Sequence, residues 1–66
     1  MTFGEKLKIA RKKQFLSQQA MAAELGISYS AFNRLENNKA QPNYAVQKAF
    51  HEFCTKHDIK FKGEEE

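Results

Sequence analysis

QQAMAAELGISYSAFNRL, residues 18–35, reads as two short helices on either side of a tight turn. Met21, Ala22 and Leu25 share one face of the first helix. Gly26 ends that helix where the backbone must turn with positive φ, a conformation glycine adopts without steric penalty. Ile27 supplies an apolar turn residue, Ser28 is a good N-cap, and Phe32 and Leu35 lie three apart on the inward face of the second helix. Ala22 matters by its size, because two helices crossing steeply over a short turn bring their backbones close. The opposite face of the second helix carries Tyr29, Ser30, Asn33, Arg34 and Asn37. These are hydrogen-bonding side chains with almost no like-charge crowding, a pattern that an ordinary solvated face does not require.

Working outward, LSQQAMAAELGIS (Leu16–Ser28) and SAFNRLENNKAQPN (Ser30–Asn43) hold several independent positions in one register. In these motifs the chain resembles the phage repressor and Cro-like helix-turn-helix family, of the xenobiotic-response-element type, from about Phe3 to about Phe50. That family commonly shows leucine, a small polar residue, Gln, a small-residue helix and Gly, then a second helix ending in Leu-Glu-Asn-Gly-Lys and a downstream Pro. The resemblance implies an all-α, compact lambda-repressor-like DNA-binding domain of four helices, with a fifth as the alternative. The helix-turn-helix would occupy about residues 17–37.

Size and charge agree with this. At 66 residues the chain holds one core, near the lower limit for folding without metal or disulfide staples. Six Phe, two Tyr and several Leu, Ile and Ala are available to fill it. The lone Cys54, with no signal peptide and no long apolar run, points to a reduced, cytoplasmic, soluble protein without a membrane partner. The net charge of +3 is unevenly spread: residues 1–48 carry eight Lys and Arg against three acids, residues 49–66 three against five. The basic part is the part with the motif, which is the electrostatic footprint of phosphate binding. Residues 1–62 are expected to form the domain and the acidic residues 63–66 a disordered tail.

A pass along the chain gives four helices. Thr2 and Glu5 make a T-x-x-E capping box, and Phe3, Leu7 and Ala10 repeat at helical spacing, so the first helix runs from about Phe3 to Lys13. Ser17 caps the second, which ends at Leu25, and the third runs from Ser28 or Tyr29 to about Glu36. In the loop of residues 37–42, Asn38 replaces the family's Gly, and Asn is the next-best residue for a left-handed backbone. The fourth helix starts after Pro42 with Asn43 as cap and carries Val46, Ala49, Phe50, Phe53 and Cys54 inward, to about His57. Beyond it, DIKFKG departs from the family and reads as a short extended segment. Ile59 and Phe61 either fold back over the core or pair with a second subunit.

By resemblance, Arg11 and Glu36 form a largely buried ion pair that ties the first helix to the third. An α-helix fits the B-DNA major groove, and its N-terminal half meets base edges. Tyr29, Ser30, Asn33 and Arg34 match the family's base-contacting places, and Arg34 has the donors to bind guanine O6 and N7 bidentately. For phosphates, Ser17 and Gln18 open a helix whose N-terminal amides attract anions, and Gln18 matches a family phosphate ligand. Asn37 and Lys39 would grip the backbone on the other side.

Other chemistry finds no support. His51, Cys54 and His57, at i, i+3 and i+6, span about 120° of helix surface and rise about 9 Å, too splayed for one tetrahedral metal site. No Ser, His and acid are arranged as nucleophile, base and orienter, and there is no glycine-rich phosphate loop, so neither an enzyme, a cofactor nor a small-molecule substrate is implied. The expected function is sequence-specific double-stranded DNA binding by a transcriptional regulator, a repressor acting as a homodimer on a palindromic operator. The alternatives are a DNA-binding antitoxin with a toxin partner and a protein-interaction adaptor on the same fold.

Overall fold

The computed structural model describes residues 1–61. The expected acidic tail, residues 63–66, and the end of the domain at residue 62 lie outside them. Four helices follow one another: α1 (Phe3–Lys13), α2 (Gln18–Leu25), α3 (Tyr29–Glu36) and α4 (Tyr44–Lys56). Among the described residues there is no strand and no fifth helix, and no helix is long and apolar enough to cross a membrane.

Each helix begins on a side-chain cap. Thr2, Ser17, Ser28 and Asn43 sit in extended conformation and accept from the backbone N–H three residues on, at Glu5, Ala20, Ala31 and Val46. At the first of these Glu5 also reaches back to the Thr2 N–H, closing the capping box. The caps satisfy backbone donors that have no partner inside the helix.

The helices also end alike. A left-handed residue follows the last turn in every case: Phe15 (φ 56°), Gly26 (φ 73°), Asn38 (φ 60°) and Asp58 (φ 56°). The N–H of the next residue then bonds the carbonyl five positions back, Leu16 to Arg11, Ile27 to Ala22, Lys39 to Arg34 and Ile59 to Cys54, at 2.7–3.0 Å. This reversal satisfies carbonyls the helix leaves open and stops it within one residue. Asn38 does more than replace a glycine, since its Oδ1 also accepts from the Gly4 N–H at 3.3 Å.

α2 and α3 pack on each other most extensively, α1 lies across α3, and α4 supports α2. The core takes Leu7 and Ala10 from α1, Met21, Ala22 and Leu25 from α2, Phe32 and Leu35 from α3, and Val46, Phe50, Phe53 and Cys54 from α4. Ile59 and Phe61 are buried too, so the segment after α4 folds back over its own core. Phe50 bridges the first turn of α1 and the segment after α4, edge-on to Phe3 at 5.3 Å and tilted against Phe61 at 6.0 Å. Burial pushes the Cys54 thiol up to about 11, partly opposed by Lys6, so the thiolate needed for reaction is scarce near neutral pH.

Composition alone overstates the aromatic core. Phe15 and Tyr44 stand outside it, 95% and 80% exposed. Phe15 belongs to the α1–α2 turn and Tyr44 is the first residue of α4, so neither lies on an inward helical stripe.

Gly4 is required by the packing rather than by its backbone angles. A Cβ there would lie 2.5 Å from the Glu36 carbonyl oxygen and 2.8 Å from that of Leu35. The start of α1, the positive end of its dipole, is pressed against the carbonyl end of α3, and the opposed helix ends attract. Gly4→Ala should therefore destabilise the protein by about 1–3 kcal/mol through overpacking, although alanine is the better helix former by about 1 kcal/mol. A thermal melt checks this; an unchanged or higher midpoint would show that α1 can move away at no cost.

Candidate nucleic-acid interface

The geometry of α3 is set from inside. Phe32 and Leu35 anchor it in the core, and Glu36, in its last turn, buries its carboxylate beside them with only 2% of the side chain exposed. A carboxylate out of water must be answered by donors. Arg11 Nε of α1 donates to Glu36 Oε2 at 2.9 Å, and Gln18 Nε2 of α2 donates to Glu36 Oε1. One carboxylate therefore joins three helices. The arginine, itself 16% exposed, also donates from Nη1 to the Leu16 carbonyl at 3.1 Å, which fixes the α1–α2 turn.

From Gln18 the network continues outward. Its Oε1 accepts from the Tyr29 hydroxyl at 3.2 Å, joining the first residue of α2 to the first residue of α3. Tyr29 is half exposed, so its ring and hydroxyl stand at the edge of the solvent-facing side of α3 while being held from below. The chain Arg11, Glu36, Gln18, Tyr29 thus runs from a buried charge to the surface.

The remaining polar residues of α3 lie on its outer side. Ser30 and Arg34 are exposed and Asn33 is half-buried. Asn37 Nδ2 donates to Asn33 Oδ1 at 3.3 Å, one turn apart, which orients both amides. Arg34 leans toward the end of the helix, where Nη2 donates to the Lys39 carbonyl at 3.4 Å. A guanidinium has five N–H donors, so this long contact leaves the fork available. Beside Arg34, a cleft of about 300 Å³ separates α3 from the loop at Gln41, Pro42 and Asn43.

The flanks hold the other residues expected at the site. Ser17 Oγ is engaged as the cap of α2, where its hydroxyl proton remains free to donate. Gln18 carries the double duty just described, with one Nε2 proton committed to Glu36 and the second left for another acceptor. Asn37 and Lys39 are exposed at the far end of α3. The expected residues therefore form one surface, made of the start of α2, the outer side of α3 and the turn after it.

Three features escaped the reading of the sequence. The sequence places Gln18 at a phosphate, and its bridge between a buried acid and Tyr29 joins residues far apart in the chain. Gly4 carried a usable signal, since a glycine inside a capped helix costs stability unless close packing needs it. Phe15 occupies the left-handed position of a turn in which Gly or Asn is the residue that signals such a conformation.

On α4, His51 is exposed, Cys54 is buried, and His57 is half-buried with its ring 4.4 Å from that of Phe53. Among the described residues no group of three His, Cys, Asp or Glu could hold a metal ion.

Removing Arg11 would leave the Glu36 carboxylate buried with Gln18 as its remaining side-chain donor. Arg11→Ala should cost about 3–5 kcal/mol, a large share of the stability of so small a domain. Chemical denaturation measures it, and a variant with the parent's stability would show the pair to be energetically idle.

In comparison with known proteins, a family model described as helix-turn-helix matches residues 7–52, well over half of the chain. No curated protein and no solved structure matches it.

Proposed function

The chain belongs to the helix-turn-helix family of the Cro/C1 type, a family of DNA-binding transcription regulators, and we propose that it binds double-stranded DNA sequence-specifically as a homodimeric repressor. The observation that carries the reading is the polar outer side of α3, clamped from beneath through Tyr29, Gln18, Glu36 and Arg11. A recognition surface works best when its geometry is fixed before the partner arrives, because less ordering entropy is then lost on binding.

In this reading α3 enters the major groove. Tyr29, Ser30, Asn33 and Arg34 face base edges, and Arg34 exchanges its long bond to the Lys39 carbonyl for guanine O6 and N7. Asn33 pairs with adenine or a phosphate oxygen, and Tyr29 touches a thymine methyl or a phosphate. Ser17 and Gln18 meet a phosphate at the start of α2, where free amides and the helix dipole favour an anion. Asn37 and Lys39 hold the backbone beyond α3. Phosphate contacts set the register and base contacts set the sequence.

One such head reads only a few base pairs, too few to define a genomic address. Two heads related by a twofold axis read a palindrome with half-sites about one helical turn apart, and occupancy of a promoter then blocks transcription sterically.

Selection of binding sites from random duplex DNA tests the proposal. The expected product is a palindromic site that binds with a steep dependence on salt. Failure to enrich any sequence would overturn sequence-specific binding. Against the selected site, Arg34→Ala should lose about 1–3 kcal/mol and relax one base preference in each half-site. A weakened variant with unchanged selectivity would reassign Arg34 to the phosphate backbone.

A further inference from the structure

Phe15 sits where no folding argument places it. The residue is 95% exposed, and its φ of 56° lies in the left-handed region, which is costly for a bulky residue. The other left-handed positions hold Gly26, Asn38 and Asp58, residue types that tolerate it. The turn is nonetheless firmly built. Leu16 N donates to the Arg11 carbonyl at 3.0 Å, and the Arg11 side chain returns a bond to the Leu16 carbonyl at 3.1 Å. The arginine that clamps Glu36 thus also presents an aromatic ring to solvent at a fixed place.

That place adjoins the proposed DNA surface. Phe15 lies between Lys12 and Lys13, both exposed in the last turn of α1, and Ser17 and Gln18 at the start of α2. An exposed apolar residue flanked in the chain by two exposed lysines and by the start of a helix suits a polyanion that has apolar edges. The DNA backbone is such a surface, alternating phosphate with deoxyribose.

We propose that Phe15 packs against the deoxyribose next to the phosphate received at the start of α2, so that the contact surface extends onto the α1–α2 turn. The inference rests on the DNA-binding reading above. A sugar contact has a distinct signature, since it reads no base and displaces no counterion. Its loss weakens all sequences alike and leaves the salt dependence unchanged.

The test compares the full chain with Phe15→Gly and Phe15→Tyr, measuring binding to the selected duplex and to a scrambled duplex across a salt series. Melting and sedimentation of each protein without DNA accompany it. Phe15→Gly should melt at or above the parent, because glycine is unstrained at this φ, and should bind both duplexes roughly fivefold more weakly, as expected for withdrawing part of one aromatic side chain from an apolar contact. The slope of log affinity against log salt should not change, and Phe15→Tyr, which keeps the ring, should retain the affinity. Equal binding by Phe15→Gly would overturn the inference and leave the DNA-binding reading intact. A change confined to self-association would overturn it in favour of a contact between copies of the chain. A parent protein that binds neither duplex would remove the DNA-binding reading itself, and this inference with it.

Discussion

A carboxylate buried at the end of α3 must be satisfied by donors from elsewhere in the chain, and the arrangement of the other helices follows from that demand. Glu36 accepts from Arg11 in α1 and from Gln18 in α2. A buried acid left without partners costs several kcal/mol, so the state in which all three helices meet is favoured over states in which any one swings away. Ion pairs of this kind add little as net stabilisers when compared with a well-packed apolar replacement. Here the directionality of the bonds also matters, because Gln18 can serve Glu36 and Tyr29 together only when α2 and α3 hold one relative orientation.

Around this centre the backbone is confined at nearly every junction. Side-chain caps start the four helices, and left-handed reversals stop them, so little freedom remains in the turns. The start of α1 abuts the end of α3 so closely that Gly4 has no room for a methyl group, while Asn38 bonds across the same gap. These constraints fix the depth at which α3 stands above the core. They leave its outer side to polar residues that contribute little to folding and are therefore free to be selected for contact.

Much of this was legible in the sequence, for identifiable reasons. The caps at Thr2, Ser17, Ser28 and Asn43 depend on atoms three residues apart, and the apolar faces of the helices depend on a period of 3.6, so both are local. Asn38 in the left-handed conformation likewise follows from a local substitution in a turn. Spacing alone does not pair Arg11 with Glu36, which was expected only from family resemblance. The circumstances of Gly4 and Phe15, and the second role of Gln18, are set by tertiary approach. Gly4 meets Asn38 34 positions away, Gln18 meets Glu36 18 positions away, and the exposure of Phe15 depends on where a turn emerges relative to the core. Composition counts Phe15 among core residues, whereas its place in the fold makes it a surface feature.

The central claim is that Arg11 and Gln18 act on the fold as one unit through Glu36, and a double-mutant cycle in unfolding free energy tests it most directly. With Arg11→Ala, Gln18→Ala and the double variant, the account predicts an interaction energy above about 0.5 kcal/mol, because either donor's loss changes what the other is worth to the shared carboxylate. Effects that add within about 0.3–0.5 kcal/mol would contradict it, and would reduce the buried cluster to two independent contacts.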